Sequence, residues 1–336
     1  MKIIIPMAGM GKRMRPHTLT VPKPLLPVAG KAIVQKLAED ITRVCNEQPE
    51  EIAFIIGPTF GKEVEKMLID VAGNLNAKGR IFYQEEALGT AHAIMCAKEC
   101  LDGKVVVAFA DTLFKADFKM DTEQEGIIWV QKIEDPRAFG VVKVNAAGII
   151  TDFVEKPQAF VSDLAIIGIY YFRDGANLRN ELQYLLDNNI RDKGEFQLTN
   201  ALENMKQKGV KFTPGKVTEW LDCGNKDATV YTNQRVLEFM KGDAALKGTN
   251  VTIENSTIIE PCYLGNNVVI SNSVVGPHVS LGDNTKVANS VIADSIVQQN
   301  SKITNRVLRG SMIGSFAEIT GRASDLSVGD YNVIKD

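Results

Sequence analysis

Residues 3–24 read IIIPMAGMGKRMRPHTLTVPKP, and the fold turns on what this stretch is. Ile3, Ile4 and Ile5 form an apolar run without alternation, the pattern of a strand buried on both faces of a parallel sheet. The run opens into a loop with Gly9, Gly11, Lys12, Arg13 and Arg15, and Pro22 and Pro24 then bracket Lys23. Two familiar loops are excluded. A dinucleotide fingerprint needs a third glycine where Met14 stands and an acid near the end of the next strand, at Ile56-Gly57. A Walker A loop needs a glycine where Pro6 stands and a hydroxyl residue where Arg13 stands. What remains is physical. Glycines let backbone N–H groups approach a polyphosphate, Arg13 can fork onto phosphate oxygens, and the two prolines are expected to hold Lys23 extended.

Outward from the loop, predicted strands at Lys2–Ile5, Ile52–Ile56, Arg80–Gln84 and Val105–Ala110 alternate with amphipathic segments at Ile33–Val44, Lys62–Val71 and Ala91–Lys98. The expected class is α/β: a Rossmann-like mixed, mainly parallel sheet with helices on both faces. Strands at Ile127–Val130, Val141–Val144 and Ala165–Phe172 extend the sheet, and helices return at Ala176–Asn188, Gln197–Lys208 and Lys226–Met240.

After Gly248 the helix signals vanish. Leu264, Ile270, Val275, Leu281, Val287, Ile292, Val297, Ile303, Leu308, Ile313 and Ile319 recur at steps of five or six, and Gly265, Gly276, Gly282 and Gly314 follow four of them. This is the hexapeptide pattern of a parallel β-helix, with one aliphatic per short strand filling the core. The mixed steps depart from a strict repeat, and a small β-sandwich is the alternative. The expected division is 1–244 for the α/β domain and 245–336 for a left-handed β-helix.

The net charge of −3 and the pI of about 5.8 give no global basic field, so sequence-independent nucleic-acid binding is not expected. The five cysteines are scattered and odd in number, which argues against a disulfide framework. Cys96 and Cys100, four apart, are expected on one buried helix face. The N-terminal apolar run is too short for a signal peptide and no run approaches a membrane span, so the expected location is cytoplasmic.

Several strand ends carry chemistry. In YQEEALGTAHA (83–93), the Gln84 amide can read a base edge with donor and acceptor, Gly89 permits close approach, and Thr90 is expected to cap a helix. His92 is expected as a surface or core residue rather than a catalyst. Asp111 follows a buried strand at the carboxyl edge where open α/β sheets bind ligands, and it suits magnesium. Glu155 and Lys156 end another strand, an acid for sugar hydroxyls beside a cation for phosphate. Asp222, in WLDCG (220–224), is a second candidate magnesium ligand.

The ordered set AGMGKR, VPKP, YQEEALGTA, ADT, FGVV, FVEKP, GIY and WLDCG resembles the sugar-1-phosphate nucleotidylyltransferases over residues 1 to about 240. These include glucose-1-phosphate thymidylyltransferases, uridylyltransferases and GDP-mannose pyrophosphorylases, and several members carry a β-helix tail. The resemblance implies that Ala8, Gly9 and Gly11 line the nucleotide, Arg13 holds the polyphosphate and Lys23 meets the α-phosphate. It implies that Gln84, Gly89 and Thr90 face the base and ribose, and that Asp111 and Asp222 bind Mg2+. Gly140 and Glu155 would contact the sugar and Lys156 its phosphate; the catalytic set would be Arg13, Lys23, Asp111 and Lys156. Many members carry Thr where Lys12 stands. The implied reaction joins dTTP to glucose-1-phosphate, the alternatives being a UTP-dependent enzyme or a GDP-mannose pyrophosphorylase. Two rivals share the fold: a bifunctional acyltransferase, which needs a catalytic histidine where the tail offers only His278, and a non-catalytic regulatory subunit, which usually lacks a cation or metal carboxylate. The tail is otherwise expected to serve homo-oligomer contact or regulation.

Overall fold

The computed structural model describes residues 1–9, 11–322 and 328. It divides into two compact units: Met1–Pro27 with Lys31–Thr232, and Val28–Gly30 with Asn233 onward.

The first unit is built on a nine-stranded sheet. Lys78–Tyr83, Glu51–Ile56, Lys2–Pro6 and Val105–Ala108 lie parallel and adjacent, in that order. Leu164–Phe172 then runs antiparallel to Val105–Ala108, and Val141–Val144 and Ile150–Val154 complete that side. Leu164–Phe172 also pairs with Gly126–Lys132, which carries Phe212–Lys216 in parallel register. The expected class, mixed and mainly parallel, is the one observed. Helices Thr90–Met95, Gly175–Asp187 and Leu198–Gln207 contribute Ile94, Leu178, Leu182 and Leu202 to the same core as Ile4, Ala53, Val107 and Phe212. Fully burying one such side chain contributes roughly 1.5–3 kcal/mol.

The pair Thr112–Lys115 and Glu219–Asp222 forms a separate antiparallel ribbon. This changes the expected Val105–Ala110 strand: it ends at Ala108, Asp111 lies in a turn, and the chain re-enters as a new strand at Thr112. Cys96 and Cys100 also depart from expectation. The helix stops at Met95 with Cys96 as its cap, and Cys100 lies in a separate 3₁₀ turn, Lys98–Cys100, so they share no helix face.

The second unit carries a left-handed parallel β-helix with three sheets. Thr252 pairs with Val269, Val269 with Lys286, Lys286 with Lys302 and Lys302 with Glu318, so the coils are 17, 17, 16 and 16 residues long. That resolves the mixed steps. The six-residue step from Val275 to Leu281 contains Gly276-Pro277, and the later coils make the same corner, Ile292 to Val297, in five. Leu264, Ile270, Val275, Leu281, Val287, Ile292, Val297 and Ile303 are all buried in its core. Asparagines in the left-handed region turn the corners, and down one edge Asn250 donates to Asn267, Asn267 to Asn284 and Asn284 to Asn300, side chain to side chain at 3.0–3.2 Å.

Candidate active site

At the carboxyl edge of the parallel strands the first unit opens into a cleft with two lobes of about 240 and 250 Å³, which share Thr90, Phe109, Asp111 and Glu195. Ala8, Gly9, Gly11, Lys23, Gln84, Gly89 and Thr90 line the first lobe. Arg13, Gly140, Glu155, Lys156 and Asp222 line the second. Every site residue picked from the sequence therefore borders one or the other of these neighbouring lobes, and Asp111 lines both.

Backbone approach explains two of the glycines. Gly11 sits at φ +57°, and a Cβ there would come within 2.8 Å of Lys23 Cβ. Gly89, at φ +114°, lies against Phe196; a Cβ would meet Phe196 O at 2.5 Å. The contact is held on both sides by Phe196 N–H to Leu88 O (2.8 Å) and Ala91 N–H to Phe196 O (2.9 Å).

Lys23 does not stand in extended chain. It opens a 3₁₀ turn, Lys23–Leu25, closed by Leu25 N–H to Pro22 O (2.9 Å) and Leu26 N–H to Lys23 O (3.0 Å). The turn directs its ammonium to Asp111, 2.8 Å away. Arg13, in the 3₁₀ turn Lys12–Met14, faces the other carboxylate, and its guanidinium nitrogen would lie 3.2 Å from a Cβ on Gly224, beside Asp222. Lys23 thus forms an ion pair with Asp111, and both Lys23 and Arg13 lie close enough to Asp222 to act on its charge. Asp222 accepts from Gly224 N–H (2.9 Å), and Cys223 N–H donates to Asp111 O (2.9 Å), which ties the two acidic turns together.

Burial pushes the Asp222 carboxyl above its ordinary range. The Asp111 charge adds to this, and Gly224 N–H, Lys23 and Arg13 oppose it. Two carboxylates crowded in a half-buried place suit a hard dication that takes one or two of them and completes its shell with phosphate oxygens and water. Among the described residues no cluster of three or more ligating side chains exists.

In the second lobe, Glu155 Oε2 accepts from Thr199 Oγ1 (3.4 Å) and Oε1 lies 3.5 Å from Lys156 Nζ. Lys156 has φ +42°, an uncommon conformation for a lysine, and its N–H is held by Phe139 O (3.2 Å). Phe139 meets Trp220 edge to face, with ring centroids 4.9 Å apart.

Thr90 does not cap its own helix; Gly89 holds that position and no side chain caps it. Its hydroxyl instead accepts from Leu198 N–H (2.9 Å) at the start of another helix, and donates to Gln197 Oε1 (3.2 Å). Gln197 passes the connection to Glu195 Oε2 (3.1 Å). Glu195, Gln197 and Thr199 border the cleft and were not picked from the sequence. Their only signal is the apolar/polar alternation of EFQLT (195–199); in the structure Phe196, Gln197, Leu198 and Thr199 are all buried. Arg15 and Lys12 are exposed and do not line either lobe.

In the second unit, His278 has both ring nitrogens on carboxylates: Nε2 lies 2.6 Å from Glu238 Oε1 and Nδ1 lies 3.1 Å from Asp294 Oδ1. Among the described residues no helix is long and apolar enough to cross a membrane.

A nucleotidyl transferase family model matches residues 2–238. The chain is similar to the bifunctional protein GlmU of Methanococcus vannielii, 29% identical over 271 residues, 77% of this chain and 61% of that protein. It is also similar to the low-salt glycan biosynthesis nucleotidyltransferase Agl11 of Haloferax volcanii, 30% identical over 267 residues, 77% of this chain and 71% of that one. The chain thus spans about three-fifths of the length of several GlmU proteins it matches. Its fold is like that of a solved UDP-glucose pyrophosphorylase complexed with UDP-glucose, with a TM-score of 0.58 at 21% identity, covering 71% of this chain and 98% of that one.

Proposed function

The chain belongs to the nucleotidyl transferase family, and on that premise we propose that it transfers a nucleotidyl group from a nucleoside triphosphate to a sugar-1-phosphate, giving an NDP-sugar and pyrophosphate. The narrower reading is dTTP with glucose-1-phosphate, UTP being the alternative. The observation that carries the proposal is the two-lobed cleft joined at Asp111, with a cation on each side of the junction.

An oxygen of the sugar phosphate attacks the α-phosphorus; that P–O bond forms in line as the bond to pyrophosphate breaks. The attacking oxygen is already anionic at neutral pH, so no strong base is needed. The difficulty is bringing two anions together, and positioning and charge meet it. Gly9 and Gly11 present backbone N–H groups to the phosphates, and Lys23 holds the α-phosphate. Arg13 faces the meeting phosphates from the second lobe and stabilises charge on the departing pyrophosphate. Glu155 accepts from a sugar hydroxyl, Gly140 lets the ring approach, and Lys156 holds the sugar phosphate. Asp111 and Asp222 would hold Mg2+, which neutralises phosphate charge when bound.

The β-helix is assigned to contact between copies of the chain, for which light scattering on the full chain is the test. Acyl transfer in the tail is disfavoured because both His278 ring nitrogens are engaged by carboxylates of this chain rather than directed to an open site. Pyrophosphate release, screened over five nucleotides and four sugar phosphates, tests the reaction. Asp111→Asn is expected to abolish turnover with the circular dichroism spectrum unchanged; full activity in that variant would refute the metal assignment.

A further inference from the structure

We propose that His92 is a positioning residue for base selection: it engages the Gln84 amide nitrogen and thereby leaves the Gln84 oxygen for the nucleotide, so that the site selects a base carrying a ring N–H on its pairing edge. The proposal rests on reading the first lobe as the nucleotide site.

Gln84 immediately follows the Lys78–Tyr83 strand, is half-buried, and lines that lobe. Its Nε2 lies 3.3 Å from Gly89 O and 3.2 Å from His92 Nδ1. Gly89 O is a carbonyl with only lone pairs to offer, so the amide must turn its NH2 toward it; the flipped amide would set two oxygens against each other. Gly89 itself is held against the Phe196 backbone, which makes this acceptor a fixed reference. With one amide hydrogen on Gly89 O, the second goes to His92. His92 Nδ1 then accepts, and the ring proton resides on Nε2.

Both Gln84 hydrogens are therefore spent inside the protein. Oε1 has no hydrogen-bond partner among the described residues, and it is not among the buried unsatisfied atoms. Gln84 offers the cleft an acceptor and nothing else. Uracil and thymine present an N3–H to such an acceptor. Cytosine at N3 and adenine at N1 present a lone pair and are repelled. Burial holds the His92 imidazole below its ordinary pKa, with Glu86 opposing and Arg191 reinforcing that shift, so the ring is neutral and able to accept. His92 lies outside the residues lining the lobe; it acts by taking up the second Gln84 hydrogen, so that only the Gln84 oxygen faces the base.

The test compares wild type, His92→Leu and His92→Asn, whose Oδ1 replaces the Nδ1 acceptor. Binding of UTP, dTTP and CTP is measured by calorimetry on the full chain, and turnover by pyrophosphate release with glucose-1-phosphate. Wild type is expected to favour UTP and dTTP over CTP by about 100-fold or more. His92→Leu should lower that ratio by about tenfold or more, through KM rather than kcat, and His92→Asn should restore most of it. An unchanged ratio in His92→Leu, or wild-type binding of CTP equal to UTP, overturns the proposal. So does an equal loss for all nucleotides in both variants with a lowered melting temperature, which would mark His92 as structural. If wild type releases pyrophosphate with no substrate pair, the enzymatic reading fails, and the calorimetric ratios still decide the role of His92.

Discussion

Gly89→Ala perturbs the backbone on which the nucleotide lobe is built. The residue has φ +114° and ψ 178°, a region open to glycine and closed to alanine, which costs about 1–3 kcal/mol. The added Cβ would lie 2.5 Å from Phe196 O and 2.7 Å from Phe196 N, backbone atoms that cannot rotate away; such overpacking costs a further ~1–3 kcal/mol. Together these give roughly 4 kcal/mol. In a unit of this size each kcal/mol lowers Tm by about 2–4 °C, so calorimetry should record a fall of about 8–16 °C in one transition. Local relief is the other outlet. If the chain moves off Phe196, the two hydrogen bonds that flank the contact open, Gly89 O leaves Gln84, and KM for the nucleotide rises about tenfold or more while Tm falls less. A variant whose Tm stays within about 2 °C of wild type and whose nucleotide KM stays within about twofold would refute the reasoning.

Lys23→Met removes the cation on Asp111 and is expected to lower kcat/KM about 10³-fold in pyrophosphate release, with Lys23→Arg recovering only part because a planar fork replaces a point charge. Asp222→Asn should separate stability from activity. The folded state holds the Asp222 proton more tightly than the unfolded chain does, so the residue costs stability as pH rises from its ordinary value through its raised one. The variant should therefore melt above wild type at neutral pH, converge with it near pH ~3, and lose turnover at least about a hundredfold. Asn284→Ala should destabilise the β-helix by about 2 kcal/mol, half from the positive φ and half from the ladder. Asn284→Gly, which keeps the φ, should cost about half as much in urea unfolding; equal costs would remove the backbone contribution.

The elements legible from sequence were those whose cause is local. Ile33–Val44 was predicted to the residue because a 3.6-residue apolar stripe runs its whole length. The tail was legible because one aliphatic per strand must fill a narrow core at every coil. Phe212–Lys216 was missed because Pro214 argues against a strand; it is tolerated there because the strand pairs on one side only, with Gly126–Lys132. Thr112–Lys115 was missed because four residues carry no usable period, and the Thr90 cap because a hydroxyl before a helix does not reveal a stronger claim from Leu198 N–H.

The site divides along the same line. Asp111, Glu155 and Asp222 were picked from the sequence because each stands at or just after the end of an apolar strand, of the main sheet for Asp111 and Glu155 and of the separate ribbon for Asp222. Gln197 was not, because what ties it to the cleft is a bond from Thr90, 107 residues away, and its own neighbours read only as the start of a helix. His92 is the sharper case. Its helical position argues for a bland role, and every local feature agrees. Only the meeting of Gln84 Nε2 with Gly89 O fixes the amide, and only then does the imidazole have something to decide. Residues that touch a ligand from a strand end are encoded one at a time; residues that set the polarity of another side chain are encoded in pairs, and pairs are visible only once the chain is folded.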